Sequence, residues 1–400
     1  MKRFIIFLPM ILLAGCVRTS TYDTIKDPRK DSPAPRIRYT ESESTGYVPL
    51  NYERQKAIWI SYVDLAPMLA AENADDFRKL FKAACADISD LGCNTIFVHI
   101  RPFGDAVYTS ELFPTSEYLC GNYDALEIIC ETAHDLKLSV HAWINPLRLQ
   151  TAERLKSFAG YKTADWFLDG DDKVSYIDED GHLWLDPAYP EVRELIAEGT
   201  YEIVSNYNVD GLHYDDYFYP TTDQLFDAEC FAQMGCGRDL DEWRRENISV
   251  MCRGIYESVK NADSRCEVSI SPQGNIENNY YKLYADVEKW CCETGICDRI
   301  IPQIYFGYDN AVKPFMRTLE EWRILCESGA VSLNIGLAVY KICEEKEYTE
   351  NIGIIAHQID DCKLCQGVSL YTYGSLFGDN RNDERIAAER EAIADALAKY

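Results

Sequence analysis

From Ala57 onward the chain alternates between two hydrophobic periods, and no other feature constrains the fold as strongly. Apolar runs rich in β-branched and aromatic residues fall at 57–63, 95–100, 139–144, 209–214, 267–271, 299–305, 332–339 and 367–373. Between them apolar residues recur at helical spacing, as in Phe77, Phe81, Ala84, Cys85 and Ile88, or Ile248, Met251, Cys252, Ile255 and Val259. Strand–helix alternation implies parallel strands joined by right-handed crossovers. Eight units, the last helix falling near 385–399, favour a closed barrel over an open sheet. No glycine-rich phosphate loop follows the first strand, which argues against a dinucleotide-binding sheet. The expected fold is α/β, a single (β/α)₈ barrel over residues 51–400. Its long loops follow the second, third and fourth strands, at 103–122, 145–189 and 217–240, and 166–184 reads as a small hairpin. All three lie on the side of a barrel where active sites are built.

The N-terminus reads as an address. Lys2 and Arg3 precede an apolar stretch at 4–13 that is too short to span a bilayer as a helix, and Leu-Ala-Gly-Cys follows. That string resembles the bacterial lipobox, with 1–15 as the leader and Cys16 as the lipidated residue. Residues 16–50 read as lipidated cysteine and flexible tether, placing the protein in the cell envelope, on a membrane and outside the cytoplasm. Nothing else in the chain is long and apolar enough to cross a bilayer.

Charge excludes one class of partner. The net charge is −26, and loss of Lys2 and Arg3 with the leader makes it −26 − 2 = −28. Such a chain repels phosphate backbones, so no nucleic acid is expected. Of 16 cysteines, 15 remain beyond Cys16. Cys85, Cys130, Cys252 and Cys326 sit on apolar helix faces as small hydrophobes, and Cys362-Lys-Leu-Cys365 has no second pair or histidine nearby.

The chemistry concentrates at the strand ends. Period-two alternation puts His99 with Arg101, His141 with Trp143 and Asn145, and His213 with Asp215. Asp64, Asp105, Asp216 and Tyr217 follow strand ends, as do Arg148, Gln273, Gln303, Tyr305 and Tyr373. Acid-assisted glycoside cleavage needs one ionised and one protonated carboxyl group. Asp215 is the first choice for the ionised one, with a partner from another strand, Asp105 or Asp64. Asp215 and Asp216 are neighbours, so on a regular strand their side chains diverge, and they pair only if the backbone turns there. A metal hydrolase on His99, His141, His213 and Asp215 is the competing arrangement. No GxSxG elbow and no HExxH is present.

The strings AIWISYVDL, FVHIRPFGDAVYTSELFPTSEYL, VHAWINPLRL, WLDPAYPEVRELI, VDGLHYDDYFYP, SISPQGN, PQIYF and GVSLYTYGSL closely resemble the glycosyl-hydrolase-like 10 family, in order from Lys56 to Phe377. The resemblance implies a (β/α)₈ barrel that hydrolyses envelope glycan, specifically peptidoglycan strands stripped of their peptides. Asp210-Gly-Leu-His-Tyr-Asp215 also resembles the fourth-strand motif of amylase-type barrels, whose last aspartate is the nucleophile. The expected site is therefore Asp215, with Asp216 or Asp105 as proton donor. Trp143, Tyr217 and Tyr305 are expected as sugar platforms, and Arg101 and Arg148 as partners for a sugar carboxylate. Asp64, His99, His141, Asn145, His213, Gln273, Gln303 and Tyr373 complete the expected substrate contacts. No metal and no cofactor is expected, and the partner is cell-wall polysaccharide. The alternative is a non-catalytic glycan-binding lipoprotein on a degenerate barrel.

Overall fold

The computed structural model describes residues 46–400. The expected leader, Cys16 and the tether as far as residue 45 lie outside the described residues. The end of that tether is already docked. Tyr47 Oη donates to Asp210 Oδ1 at 2.6 Å, the Leu50 amide donates to the same oxygen, and Asn51 Nδ2 donates to the Asp210 carbonyl.

Eleven strands follow in chain order among the described residues: β1 (Gln55–Ile60), β2 (Thr95–Arg101), β3 (Ser139–Ile144), β4 (Arg148–Thr151), β5 (Val174–Ile177), β6 (His182–Leu185), β7 (Gly211–Tyr214), β8 (Glu267–Ile270), β9 (Arg299–Ile300), β10 (Ser332–Ala338) and β11 (Gly367–Tyr371). Eight close a parallel barrel in the order β1-β11-β10-β9-β8-β7-β3-β2. The other three form the antiparallel sheet β4-β6-β5, which occupies the long loop after β3 and contains the expected hairpin.

Alternation along each barrel strand divides the apolar residues between two cores. Ile58, Ile60, Ile96, Val98, Ile100, Val140 and Ala142 face the helix layer. Ala57, Trp59, Phe97 and Trp143, with Ile301, fill the lumen. The helix Ala74–Leu91 shows how the outer layer forms. Asn73 caps its first turn by accepting from the Asp76 amide at 3.0 Å, and Gly92 ends it at a left-handed φ of 94°. Its Phe77, Phe81, Ala84, Cys85 and Ile88 are buried on one stripe, where each phenylalanine contributes roughly 1.5–3 kcal/mol. The lower lumen is polar and closed on itself. Arg299 pairs with Glu267 at 2.9 Å and donates to Asn334 Oδ1, and Gln55 bridges Glu267 and Asn334.

Three of the departures from the expected strands have a local cause. The first strand stops at Ile60 because Ser61 and Asp64 form a capping box that opens the helix Tyr62–Leu69. The sixth shrinks to β9 because Pro302 has no N–H for the ladder, leaving Gln303 as an isolated bridge to Gln273 and Gly336. In the second, the register slips between His99 and Arg101, so the two residues do not share a face. The 15 cysteines from Cys85 to Cys365 are free thiols; Cys85, Cys130 and Cys252 are buried and Cys326 partly so. No helix among the described residues is long and apolar enough to cross a membrane.

Candidate active site

The chain leaves β7 at Tyr214 and turns at once, with the Phe218 amide donating to the Asp216 carbonyl at 2.9 Å. The turn brings two consecutive carboxyl groups into one cleft. Asp215 and Asp216 line a cavity of about 350 Å³ at the C-terminal mouth of the barrel, together with Trp59, Trp143, Tyr217, Ser271, Gln303, Tyr305, Tyr340 and Tyr371. Six of those ten side chains are aromatic, which supplies flat faces for sugar rings. Tyr371 lies 5.7 Å from Tyr305 and 5.9 Å from Trp59, centroid to centroid.

The two carboxyls differ in their surroundings. Asp215 is buried, and its Oδ1 receives no hydrogen bond. Burial pushes its pKa well up and the charge of Asp216 pushes it further, against the Tyr217 amide and the Trp143 indole. Asp216 is half-buried, and Gln303 Nε2 donates to its Oδ1 at 3.1 Å while also donating to the Ser271 carbonyl. Burial raises Asp216 too, but the amides of Gln273 and Gln303 oppose the rise. Like charges disfavour double ionisation, and Asp216, with its two amide donors, is the better placed of the two to hold the negative charge.

The histidines lie beneath the cleft. Trp59 Nε1 donates to His213 Nε2 at 3.0 Å, and His213 Nδ1 lies 2.9 Å from Ser269 Oγ. Both ring nitrogens are engaged, so His213 has none to offer a metal. His99 stacks on Trp143 at 3.7 Å and 8°, and burial pushes its pKa down to about 3. His141 is fully buried against Gly211. These rings prop the cleft floor.

Several expected contacts lie elsewhere. Asp64 Oδ2 caps its helix at Ser61 and Oδ1 accepts from Gly374 N at 3.1 Å. Asp105 is buried within its loop, accepting from the Phe103 amide at 3.0 Å. Arg101 points into the helix layer, 4.2 Å above the Phe113 ring and against Gly199. Asn145 donates to the Pro102 carbonyl, and Tyr373 Oη to Asp87. Gln273 acts at one remove, through Asp216. Arg148 is committed to the β5–β6 hairpin: Nη2 meets Asp178 at 3.0 Å, Asp180 at 3.2 Å and His182 Nδ1 at 3.2 Å. Its guanidinium sits 5.0 Å over both Phe103 and Tyr217, so it carries the hairpin's position to the cleft wall. Asp178, Asp180 and His182 are the one group among the described residues whose ligand atoms converge enough for a metal ion, and Arg148 stands among them.

Trp59, Ser271, Tyr340 and Tyr371 were not among the expected contacts. Their signal was available: Trp59 and Ala57 share a strand face, and that face is the lumen.

Residues 54–351 match the family described as Glycosyl hydrolase-like 10. Glycosyl hydrolase YngK of Bacillus subtilis (strain 168) is 30% identical over 324 residues, covering 72% of this chain; the chain spans 61% of that relative's length. Glycosyl hydrolase DigH of Escherichia coli (strain K12) is 27% identical over 372 residues, 84% of this chain and 82% of the relative. Among solved structures, the PgaB (BpsB) glycoside hydrolase domain from Bordetella bronchiseptica superposes with a TM-score of 0.58 at 10% identity, covering 85% of this chain and 99% of that one. The endo-1,4-beta-mannanase from Rhizomucor miehei gives 0.55 at 12% identity, covering 87% and 95%. These two likenesses speak to the fold.

Proposed function

The chain belongs to the glycosyl hydrolase-like 10 family, and on that premise we propose that it is a glycosidase of bacterial cell-wall glycan, acting on peptidoglycan strands stripped of their peptides. The observation that carries the reading is the convergence of Asp215 and Asp216 in one aromatic-walled cleft. In this reading Asp215, kept protonated by burial and by its neighbour's charge, gives its proton to the leaving glycosidic oxygen. Asp216, held by two amide donors, carries the negative charge and stabilises the developing oxocarbenium ion. These roles run opposite to those that the strand-face argument assigned. Trp143, Tyr217 and Tyr305 are the sugar platforms. The Leu-Ala-Gly-Cys string supports the further reading that the enzyme is held to a membrane, outside the cytoplasm, by lipid on Cys16.

The test is mass spectrometry of products from peptide-stripped and intact peptidoglycan, with Asp215→Asn and Asp216→Asn as controls. Muropeptide-free oligosaccharides from the stripped strands, absent with either variant, are expected. Binding without any product from either substrate would reduce the protein to a glycan-binding barrel.

A further inference from the structure

A second cavity, of about 280 Å³, is lined by the continuation of the loop that brings Asp215–Tyr217 to the cleft, together with β5 and the residues flanking the hairpin. Its charged lining is entirely carboxylate: Asp172, Asp186, Asp223, Asp227 and Glu229. Asp227 is already satisfied, since Arg244 donates to both its oxygens at 2.8 and 2.6 Å. Asp186 is not. It is 1% exposed, its Oδ1 accepts the Ala188 amide at 2.8 Å, and its Oδ2 has no donor. Arg193 turns instead to the carbonyls of Pro187 and Ala188, at 2.6 and 2.8 Å. A buried carboxylate oxygen without a donor is costly, and a ligand that supplies one is bound in proportion. Burial holds the Asp186 carboxyl up at about 7, with Asp227 adding and Arg193 and Arg244 opposing. An arriving cation would keep it ionised.

The remaining wall is mostly aromatic and apolar, with the hydroxyls of Ser175 and Thr221 in it. Tyr176 and Phe226 meet edge to face at 6.2 Å, Tyr189 stands beside Asp186 in the lining, and Leu225 is 81% exposed. A bare metal ion does not suit this cavity: it needs several ligand oxygens converging on one point, and these carboxylates do not form such a group. Carboxylates and aromatic rings lining one space of this size suit a pyranose ring bearing a positive charge.

We propose that this cavity is a subsite for an amino-sugar unit with a free, protonated amine, whose ammonium donates to Asp186 Oδ2. It rests on the glycan-hydrolase reading and adds that the preferred glycan carries de-N-acetylated units.

Calorimetric titration of the full chain with a glucosamine tetramer and an N-acetylglucosamine tetramer, in neutral buffer, tests it. The amine tetramer is expected to bind at least about tenfold more tightly, and Asp186→Asn to cut that preference to about twofold or less. Asparagine keeps the Oδ1 acceptor for Ala188. Should that variant lose its thermal transition, Asp223→Asn with Glu229→Gln, both at exposed positions, is expected to narrow the preference too. Equal affinity for both tetramers overturns the proposal, as does a preference that survives the loss of these carboxylates. A calcium-dependent rise in melting temperature that Asp186→Asn removes would make the cavity a metal site and equally overturn it. Binding is read without turnover. A chain that hydrolyses no glycan yet shows the Asp186-dependent preference would therefore remove the hydrolase reading and leave the subsite.

Discussion

The indole N–H of Trp59 donates to Nε2 of His213 at 3.0 Å, and this one bond fixes what the histidine is. Because Nε2 accepts, the ring proton sits on Nδ1 and goes to Ser269 Oγ, 2.9 Å away. Burial pushes the His213 pKa well down, so the ring stays neutral. It packs as a flat neutral wedge, 4.2 Å from the Phe97 ring. Trp59→Phe leaves Nε2 buried without a donor, which costs about 1–3 kcal/mol. A lower denaturation midpoint and a reduced kcat/KM are expected, with the limbs of the pH–rate profile unmoved. A limb in the wild-type profile that Trp59→Phe shifts would mean that His213 titrates during turnover.

Asp215 should cost the protein stability in order to serve the reaction. Its folded pKa is raised above the unfolded value. Between those two pKa values the folded chain holds a proton that the unfolded chain has lost, so stability falls as pH rises, by up to ~1.4 kcal/mol per pH unit. Asp215→Asn has no proton to lose. The variant is expected to be inactive, to match the wild type only below the unfolded carboxyl pKa of about 4, and to melt increasingly above it as pH rises from there. Denaturant midpoints across that range check this, and parallel curves for the two proteins would place Asp215 in a solvated setting.

Much of this was legible in the sequence, and the misses share a cause. The third strand matches 139–144 to the residue: its six residues are all buried and run directly into the Asn145-Pro146 breaker. Alternation correctly sent Trp143 inward. It failed at Arg101 because one slipped residue in β2 exchanges the two faces, and nothing local in the sequence announces a bulge. Asp64 was misread as a site acid although Ser61-x-x-Asp64 has capping-box spacing. Asp215 and Asp216 could be paired only by the turn after Tyr214, a backbone feature that alternation does not encode.

The helix Pro190–Asn206 meets β2 at Gly199, and the contact permits no side chain. A Cβ there would lie 2.4 Å from Arg101 Nη1 and 2.5 Å from Phe113 Cε2. Gly199→Ala gains helix propensity but overpacks a buried guanidinium–ring stack, and the second effect is the larger at about 1–3 kcal/mol. A lower denaturant midpoint is expected, and Gly199→Ala with Arg101→Met should recover part of it. A stabilised single variant would mean that Arg101 does not lie against this helix.

Arg148 offers the sharpest separation between two roles for a cation near the cleft. Were it a ligand for the carboxylate of a muramic sugar, its guanidinium would face the cleft with unpaired donors. Instead Nη2 is shared among Asp178, Asp180 and His182, and Nη1 lies 3.5 Å from Tyr217 Oη. Arg148 also holds Asp178 below the ordinary carboxylate range, second to the backbone amide of His182 among the groups that lower it. Lysine cannot reproduce this planar fork. Arg148→Lys is therefore expected to loosen the β5–β6 hairpin and release Tyr217, the sugar platform it supports. Lysine keeps the charge opposite Asp178 and Asp180 and loses only the fork, so the global midpoint should move little while the hairpin becomes protease-sensitive. Because the damage is to a platform, kcat/KM should fall by similar factors on muramic-acid glycan and on an uncharged chitin-type oligosaccharide. A loss confined to the muramic substrate would show that Arg148 leaves its aspartates to bind the sugar carboxylate.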